Sequence, residues 1–330
     1  MATKKDSQEE PDSPSNGAGI PVVGIGASAG GIGALKTLVP LLAPDAGLAY
    51  IVVQHLDPTH DSALTSLLAR LTKLPVVEIK DQTTVESNRI YVIPPNASLE
   101  ISGDRLQLGP PSRHRGERMT IDVFFASLAH AKAENAAGII LSGTGSDGTI
   151  GLRAIKEHGG LTLAQDHAEY DGMMRSAVHS GMVDFVLPLE KMPGKLHDYF
   201  QHLIVVDGRK GPDGVRPEAA DHLAQISALL RARTGHDFSG YKDKTVARRV
   251  QRRMQVLQID EVPDFIERLR TQPQELDALL QDLLIGVTNF FRDAHAFEAV
   301  FGGVRRAGAM GDDNWGLHVP NSSDASAINR

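Results

Sequence analysis

Three residues with catalytic side chains each follow an apolar run in this chain. Ser28 lies in Gly26-Ala27-Ser28-Ala29-Gly30, after the run Val22–Ile25. His55 comes just after Ala49-Tyr50-Ile51-Val52-Val53, which ends in Gln54-His55. Asp147 lies in Ser142-Gly143-Thr144-Gly145-Ser146-Asp147-Gly148, directly after Gly138–Leu141. A hydroxyl, an imidazole and a carboxylate are the parts of a hydrolytic triad. His55 would take the Ser28 proton, and Asp147 would fix the His55 tautomer and stabilise its imidazolium. The Gly-x-Ser-x-Gly spacing fits a nucleophile elbow, in which small neighbours let a strained turn lift the Ser28 Oγ above a sheet edge. Backbone N–H groups of that turn, such as that of Ala29, would form part of an oxyanion hole, a donor typically worth about 3–4 kcal/mol.

Each residue also has an ordinary reading. A serine in a glycine turn commonly caps a helix. His55, two residues from Asp57-Pro58, is compatible with a plain loop, and Asp147 before Gly148 with the N-cap of the next helix. A different chemistry competes for the same turn. Gly24, Gly26 and Ala29 fit G-x-G-x-x-G/A, whose N–H groups hold a pyrophosphate. That fingerprint needs an acid at the end of the next strand. Here that strand ends in Gln54-His55, and Asp57 lies beyond it. The order Ser…His…Asp departs from the Ser…Asp/Glu…His order of α/β-hydrolases and disfavours that family.

Such a constellation needs a parallel sheet, because functional groups gather at the carboxyl ends of its strands. Apolar runs alternate with amphipathic helical patterns from Ile20 to about Val206, which predicts an α/β fold: a doubly wound, mostly parallel sheet with helices on both faces. Strands are expected at Val22–Ile25, Ala49–Val53, Val76–Ile79, Ile90–Ile93, Gly138–Ser142, Leu161–Ala164 and Phe185–Leu187. Helices are expected at Gly33–Leu42, Ser62–Leu71, Ile121–Lys132, Gly148–His158 and Met174–Gly181, with a hairpin between Leu99 and Leu108. A small all-α domain follows, with helices at Leu223–Arg233, Lys244–Leu257, Val262–Thr271 and Gln274–Leu284. The expected organisation is a polar tail (1–19), a catalytic domain (20–206), a linker (207–220), the helical domain (221–300) and an irregular tail (301–330). The 330 residues suffice for two domains. The net charge of -7 gives no pull toward nucleic acid, and the absence of cysteine excludes disulfides, thiolate metal sites and a cysteine nucleophile. No apolar run reaches the roughly 20 residues of a membrane span.

Gly26-Ala27-Ser28-Ala29-Gly30-Gly31, Gln54-His55-Leu56, Tyr91-Val92-Ile93-Pro94-Pro95, Gly143-Thr144-Gly145-Ser146-Asp147-Gly148 and Ala164-Gln165-Asp166 together resemble the catalytic domain of the chemotaxis protein-glutamate methylesterase family, CheB. The resemblance spans Ile20 to Leu189. It implies hydrolysis of glutamyl γ-methyl esters on chemoreceptors, with deamidation of certain glutamines, by Ser28, His55 and Asp147, without cofactor or metal. Ala29 stands where the family has Thr, Thr144 where it has Met, and Gly172-Met173-Met174-Arg175 where it often has Gly-Met-Pro-Arg. No receiver domain precedes Ile20, so activity is expected to be independent of phosphorylation.

Lys244, Arg248 and Arg252 recur every fourth residue, with Arg249 and Arg253 alongside, forming a basic stripe on one helix. With Thr234-Gly235-His236-Asp237-Phe238 and Val287-Thr288-Asn289-Phe290-Phe291-Arg292-Asp293, it resembles the N-terminal helical domain of CheR-type receptor methyltransferases. That resemblance implies a basic helix that docks acidic receptor helices. No glycine-rich cofactor turn follows Phe297, so Thr288 and Arg292 have no pocket to complete, and neither methyltransferase activity nor S-adenosylmethionine binding is expected. The chain reads as an esterase–methyltransferase fusion cut short near Val300. Ile285, Val287, Phe290, Phe291 and Phe297 would form an uncovered face that favours self-association or local disorder. The expected protein is a cytoplasmic serine esterase acting on a methylated chemoreceptor or similar signalling protein, without nucleic-acid binding or stable membrane insertion. The alternative is a non-catalytic adaptor that binds receptor or partner helices.

Overall fold

The run Val22–Ala27 alternates side chains between two buried faces, and every residue in it is shielded from solvent. It becomes the middle strand of the sheet. In the computed structural model, which describes residues 19–54, 63–110, 119–207, 222–235, 238 and 241–285, the chain runs as follows. The order is β1 (Val22–Ala27), α1 (Gly31–Leu38), β2 (Ala49–Gln54), α2 (Ala63–Ala69), β3 (Val76–Glu78), β4 (Thr83–Thr84), β5 (Arg89–Val92), β6 (Ser98–Ser102), β7 (Arg105–Gly109) and α3 (Thr120–Lys132). Then come β8 (Ala136–Ile140), α4 (Thr149–Glu157), β9 (Leu161–Gln165), α5 (Gly172–His179), β10 (Phe185–Leu187) and α6 (Met192–Asp207). The helical segment is α7 (Leu223–Thr234), α8 (Asp243–Leu257), α9 (Val262–Thr271) and α10 (Pro273–Leu284).

The main sheet has the order β10-β9-β8-β1-β2-β5-β3, with every pairing parallel. The chain leaves β1 toward β2 and later returns to β1's other side as β8. β1 is therefore the topological switch strand, where open α/β sheets place their crevice. Val23, Ile25 and Ala27 pack with α1, α2 and α6 on one face. Val22 faces the other core, built from α3, α4, α5 and the β6–β7 hairpin. Helices cover both faces, as the alternating pattern predicts. The hairpin joins β4 in a separate antiparallel sheet, turning at Gly103-Asp104.

The alternate β1 positions on the α3 side are glycines. A Cβ on Gly24 would lie 2.8 Å from a Phe125 ring atom, and one on Gly26 would lie 2.6 Å from Ile121. These two glycines of the dinucleotide pattern sit inside the strand and let α3 approach the sheet. Their presence is accounted for by packing, and the pyrophosphate reading loses its basis.

Helix α6 is an element that the sequence pattern did not reveal. Pro193-Gly194 reads as a break, yet proline is tolerated in the first helical turn. Beyond it Leu196, Tyr199, Phe200 and Leu203 recur at i, i+3, i+4 and i+7 and are all buried.

The helical segment has its own core, drawn from all four helices and including Ile226, Leu230, Val250, Phe265, Leu269 and Leu279. It also packs against the α/β part within one unit. Here the basic stripe requires correction. Lys244 and Arg248 are exposed, but Arg252 and Arg253 are buried, at 5 % and 4 % exposure. Arg252 bonds Asp184 through both Nη atoms, Asp282 at 2.8 Å and the Gly160 carbonyl at 2.8 Å. Lys156 lies 3.0 Å from Asp282 and 3.3 Å from Asp184. Arg253 pairs with Glu275 and approaches Asp184 at 3.6 Å. Arg249 donates to the Lys156 and Glu157 carbonyls at the C-terminus of α4, complementing its dipole. Most of the stripe is thus occupied within the chain. A charge repeat every fourth residue specifies a helix face, and the packing partner decides whether that face meets water.

Ile285 also departs from expectation. It is 3 % exposed and belongs to the core that contains α3, α4 and α5, so it is no part of an uncovered apolar face. Val287, Phe290, Phe291 and Phe297 lie outside the described residues. Among the described residues no helix is long and apolar enough to cross a membrane.

Candidate active site at the carboxyl edge of the sheet

Ser28 is the first residue after β1, and it is half-buried. Its N–H donates to the Ser142 carbonyl at 2.9 Å, and its carbonyl accepts the Gly31 N–H at 2.9 Å, closing the turn into α1. The left-handed backbone of this turn falls two residues after Ser28. Gly30 has φ 73°, and Ser28 is not among the residues with positive φ. Nor is Ser28 the helix cap: α1 is capped by Gly30, with no side-chain bond. A side chain at 30 is excluded twice, by the backbone angle and because a Cβ would fall 2.5 Å from the Ser142 Oγ.

Ser142 ties the turn to the neighbouring strands. Its N–H donates to the Gln165 Oε1 at 3.1 Å from the end of β9. Its hydroxyl donates to the Ala29 carbonyl at 2.9 Å and accepts the Tyr170 N–H at 3.1 Å. Gly143 follows, and a Cβ there would lie 2.9 Å from the Ser28 Cβ and 2.1 Å from the Met173 Sδ. The Ser142-Gly143 pair therefore abuts the candidate nucleophile directly. Among these residues, Ser142 and Gln165 are visible in the sequence only as parts of short motifs. Their role as a clamp depends on β8 and β9 being neighbours.

Asp147 sits in the same loop, at 9 % exposure. It does not cap the helix that follows it. The α4 N-cap is Gly148, which has no side-chain bond. The Asp147 Oδ2 accepts the Ile121 N–H at 3.0 Å and its Oδ1 the Asp122 N–H at 2.9 Å, so it caps α3. Ser28 and Asp147 follow β1 and β8, which run side by side with Gly26 paired to Ile140. β2 lies on β1's other side, with its last residue, Gln54, paired to Ala27. His55, the next residue, lies outside the described residues.

Asp122 went unnoticed in the sequence. It is 6 % exposed in the first turn of α3, and its Oδ1 accepts the Gly151 N–H at 2.7 Å. Burial pushes its carboxyl up to about 6, with neighbouring Asp147 adding to the shift and the Gly151 N–H opposing it. The available signal is an acid enclosed by Ile121, Val123, Phe124 and Phe125.

The CheB methylesterase family model matches residues 23–196, more than half of the chain, and the model for the CheR methyltransferase all-alpha domain matches residues 221–284. A Leptospira interrogans protein provisionally named protein-glutamate methylesterase/protein-glutamine glutaminase is 38% identical over 171 residues, which are 51% of this chain and 89% of that protein. An uncharacterized 104.1 kDa protein from the hypE 3' region of Rhodobacter capsulatus is 36% identical over 255 residues. That match takes in 71% of this chain but only 27% of the Rhodobacter protein, so the chain spans about a quarter of that relative. The crystal structure of the Thermotoga maritima CheB methylesterase catalytic domain superposes with a TM-score of 0.50 at 28% identity, covering 54% of this chain and 97% of the Thermotoga one.

Proposed function

The chain belongs to the CheB methylesterase family, and from that premise we propose that it hydrolyses γ-methyl esters of glutamyl side chains with Ser28 as nucleophile, His55 as general base and Asp147 as the orienting carboxylate. The observation that carries this reading is the strand order β8-β1-β2 at the switch point of the sheet. The strand that precedes Ser28 is flanked by the strands that precede Asp147 and His55.

In the proposed reaction the Ser28 Oγ attacks the ester carbonyl as His55 accepts its proton. The N–H of Ala29 receives charge developing on the carbonyl oxygen, in the manner of an oxyanion hole. Collapse breaks the bond to the methoxy group, which leaves as methanol with the proton from His55. Water, deprotonated by His55, then hydrolyses the Ser28 acyl ester and releases the glutamate carboxyl. Two α3 amides donate to the Asp147 oxygens and hold the side chain in place. The same attack on a glutamine amide would release ammonia, a reaction consistent with the glutaminase half of the Leptospira protein's name. The substrate we propose is a methylated chemoreceptor or a similar signalling protein.

The test is methanol release from a methylated receptor fragment. The wild-type chain should turn over, while Ser28→Ala and His55→Ala should each lose on the order of 10³-fold or more. Asp147→Asn should retain a weak remnant, because the wrong tautomer is held. Full turnover by Ser28→Ala would overturn the mechanism. No methanol from the wild type on any methylated receptor would favour the adaptor.

A further inference from the structure

We propose that Asp122 is a positioning residue for Asp147, and through it for ester hydrolysis; the inference rests on the triad reading above. The geometry is a pair of crossed helix caps. Asp147 precedes α4 but caps α3, accepting the Ile121 and Asp122 N–H groups. Asp122 lies in α3 but caps α4, accepting the Gly151 N–H at 2.7 Å with the Gly148 and Ile150 N–H groups also facing it. The two caps hold each other in register. The loop from Ser142 to Gly148 is fixed at Asp147 by α3 and just past its end, at Gly151, by Asp122.

The helices are close enough for this to be stiff. A Cβ on Gly151 would lie 2.4 Å from the Phe125 Cβ and 3.1 Å from the Asp122 Cα. Neither α3 nor α4 has a side-chain cap at its own N-cap residue. Removing the Asp122 carboxylate therefore leaves first-turn amides of α4 without an acceptor and frees the segment that carries Asp147. Asp122 retains one buried oxygen, Oδ2, with no hydrogen-bond partner among the described residues. Two buried acids side by side are costly to place. What the arrangement achieves is a fixed position for Asp147.

The experiment compares full-length wild type, Asp122→Ala, Asp122→Asn and Ser28→Ala in methanol release, with reactive serines counted by titration with an esterase-directed phosphonate. Asp122→Ala should lower kcat per titrated serine roughly 10- to 100-fold, the usual consequence of misplacing a catalytic group by about 1 Å, with KM unchanged. Asp122→Asn, which keeps an oxygen for the Gly151 N–H, should recover most of that loss. A purely structural role would lower the titrated fraction and the melting temperature while leaving kcat per site intact, and that result would overturn the proposal. If Asp122→Ala does not fold, Asp122→Ser carries the same expectation, because its side chain is one atom shorter. An inactive Ser28→Ala beside unchanged Asp122 variants sinks this inference alone. An active Ser28→Ala sinks the triad reading, and this inference with it.

Discussion

Replacing Asp184 with Asn should destabilise the whole described fold, and the size of the effect can be worked from its surroundings. Lys156, Arg252 and Arg253 face Asp184, Asp282 and Glu275, so three cations balance three carboxylates. Asp184 and Asp282 have side chains fully shielded from water, and those of Lys156, Arg252 and Arg253 are at most 5 % exposed. Asp184→Asn keeps the shape and an acceptor for the Thr162 N–H and hydroxyl, but leaves one buried positive charge uncompensated. Breaking a buried ion pair on one side costs about 3–5 kcal/mol. At about 2–4 °C per kcal/mol for a fold of this size, the melting temperature should fall by roughly 6–20 °C. The pH dependence has a definite sign. Burial alone would raise the Asp184 carboxyl, but Arg252 and Lys156 outweigh it and hold it well below the usual carboxylate range. Its contribution is therefore complete above the unfolded value of about 4 and fades only below that. Scanning calorimetry of both proteins from pH 8 to pH 3 is the assay. The gap should stay constant down to about pH 5 and narrow below about pH 4. A gap under about 2 °C at pH 7, less than the smallest penalty allows, would refute the cluster as a buried network.

Arg233→Gln, which breaks an exposed Arg233–Asp277 pair, should leave the melting temperature unchanged and serves as the surface control. Gly30→Ala should cost about 1–2 kcal/mol for its left-handed backbone alone. Its Cβ would also press on the Ser142 Oγ and the Tyr170 ring, so turnover should fall with stability; unchanged kinetics would mean the turn does not hold the nucleophile. Asp122→Asn should gain stability relative to wild type as pH rises from 4 to 8. The folded carboxyl is raised to about 6, chiefly by burial, so the wild type loses stability as pH climbs through that range and the variant does not. Parallel melting curves at both pH values would contradict that.

Residue order alone carried a good deal of this fold. Short apolar runs located β1, β2, β8 and β9 to within about two residues at their ends, because a parallel strand covered on both faces is apolar at nearly every position. They also put Ser28, His55 and Asp147 just past strand ends, since a turn of small residues after an apolar run is a local signal. Which strands are neighbours is a different kind of information. β1 and β8 are separated by more than a hundred residues, and nothing within either run names the other. The same limit explains Asp147, read from its neighbour Gly148 as a cap for α4 but bonded to α3, whose first turn is 25 and 26 residues away. It explains Arg252 and Arg253 as well, where a fourfold repeat gave the helix and only the face of Lys156, Gly160 and Asp184 made its inner side dry. The sequence determined elements and the chemistry at their ends, through contacts within a turn or two of chain. The tertiary structure decided which ends meet and which charges are buried, because those outcomes depend on pairings between residues far apart in the chain.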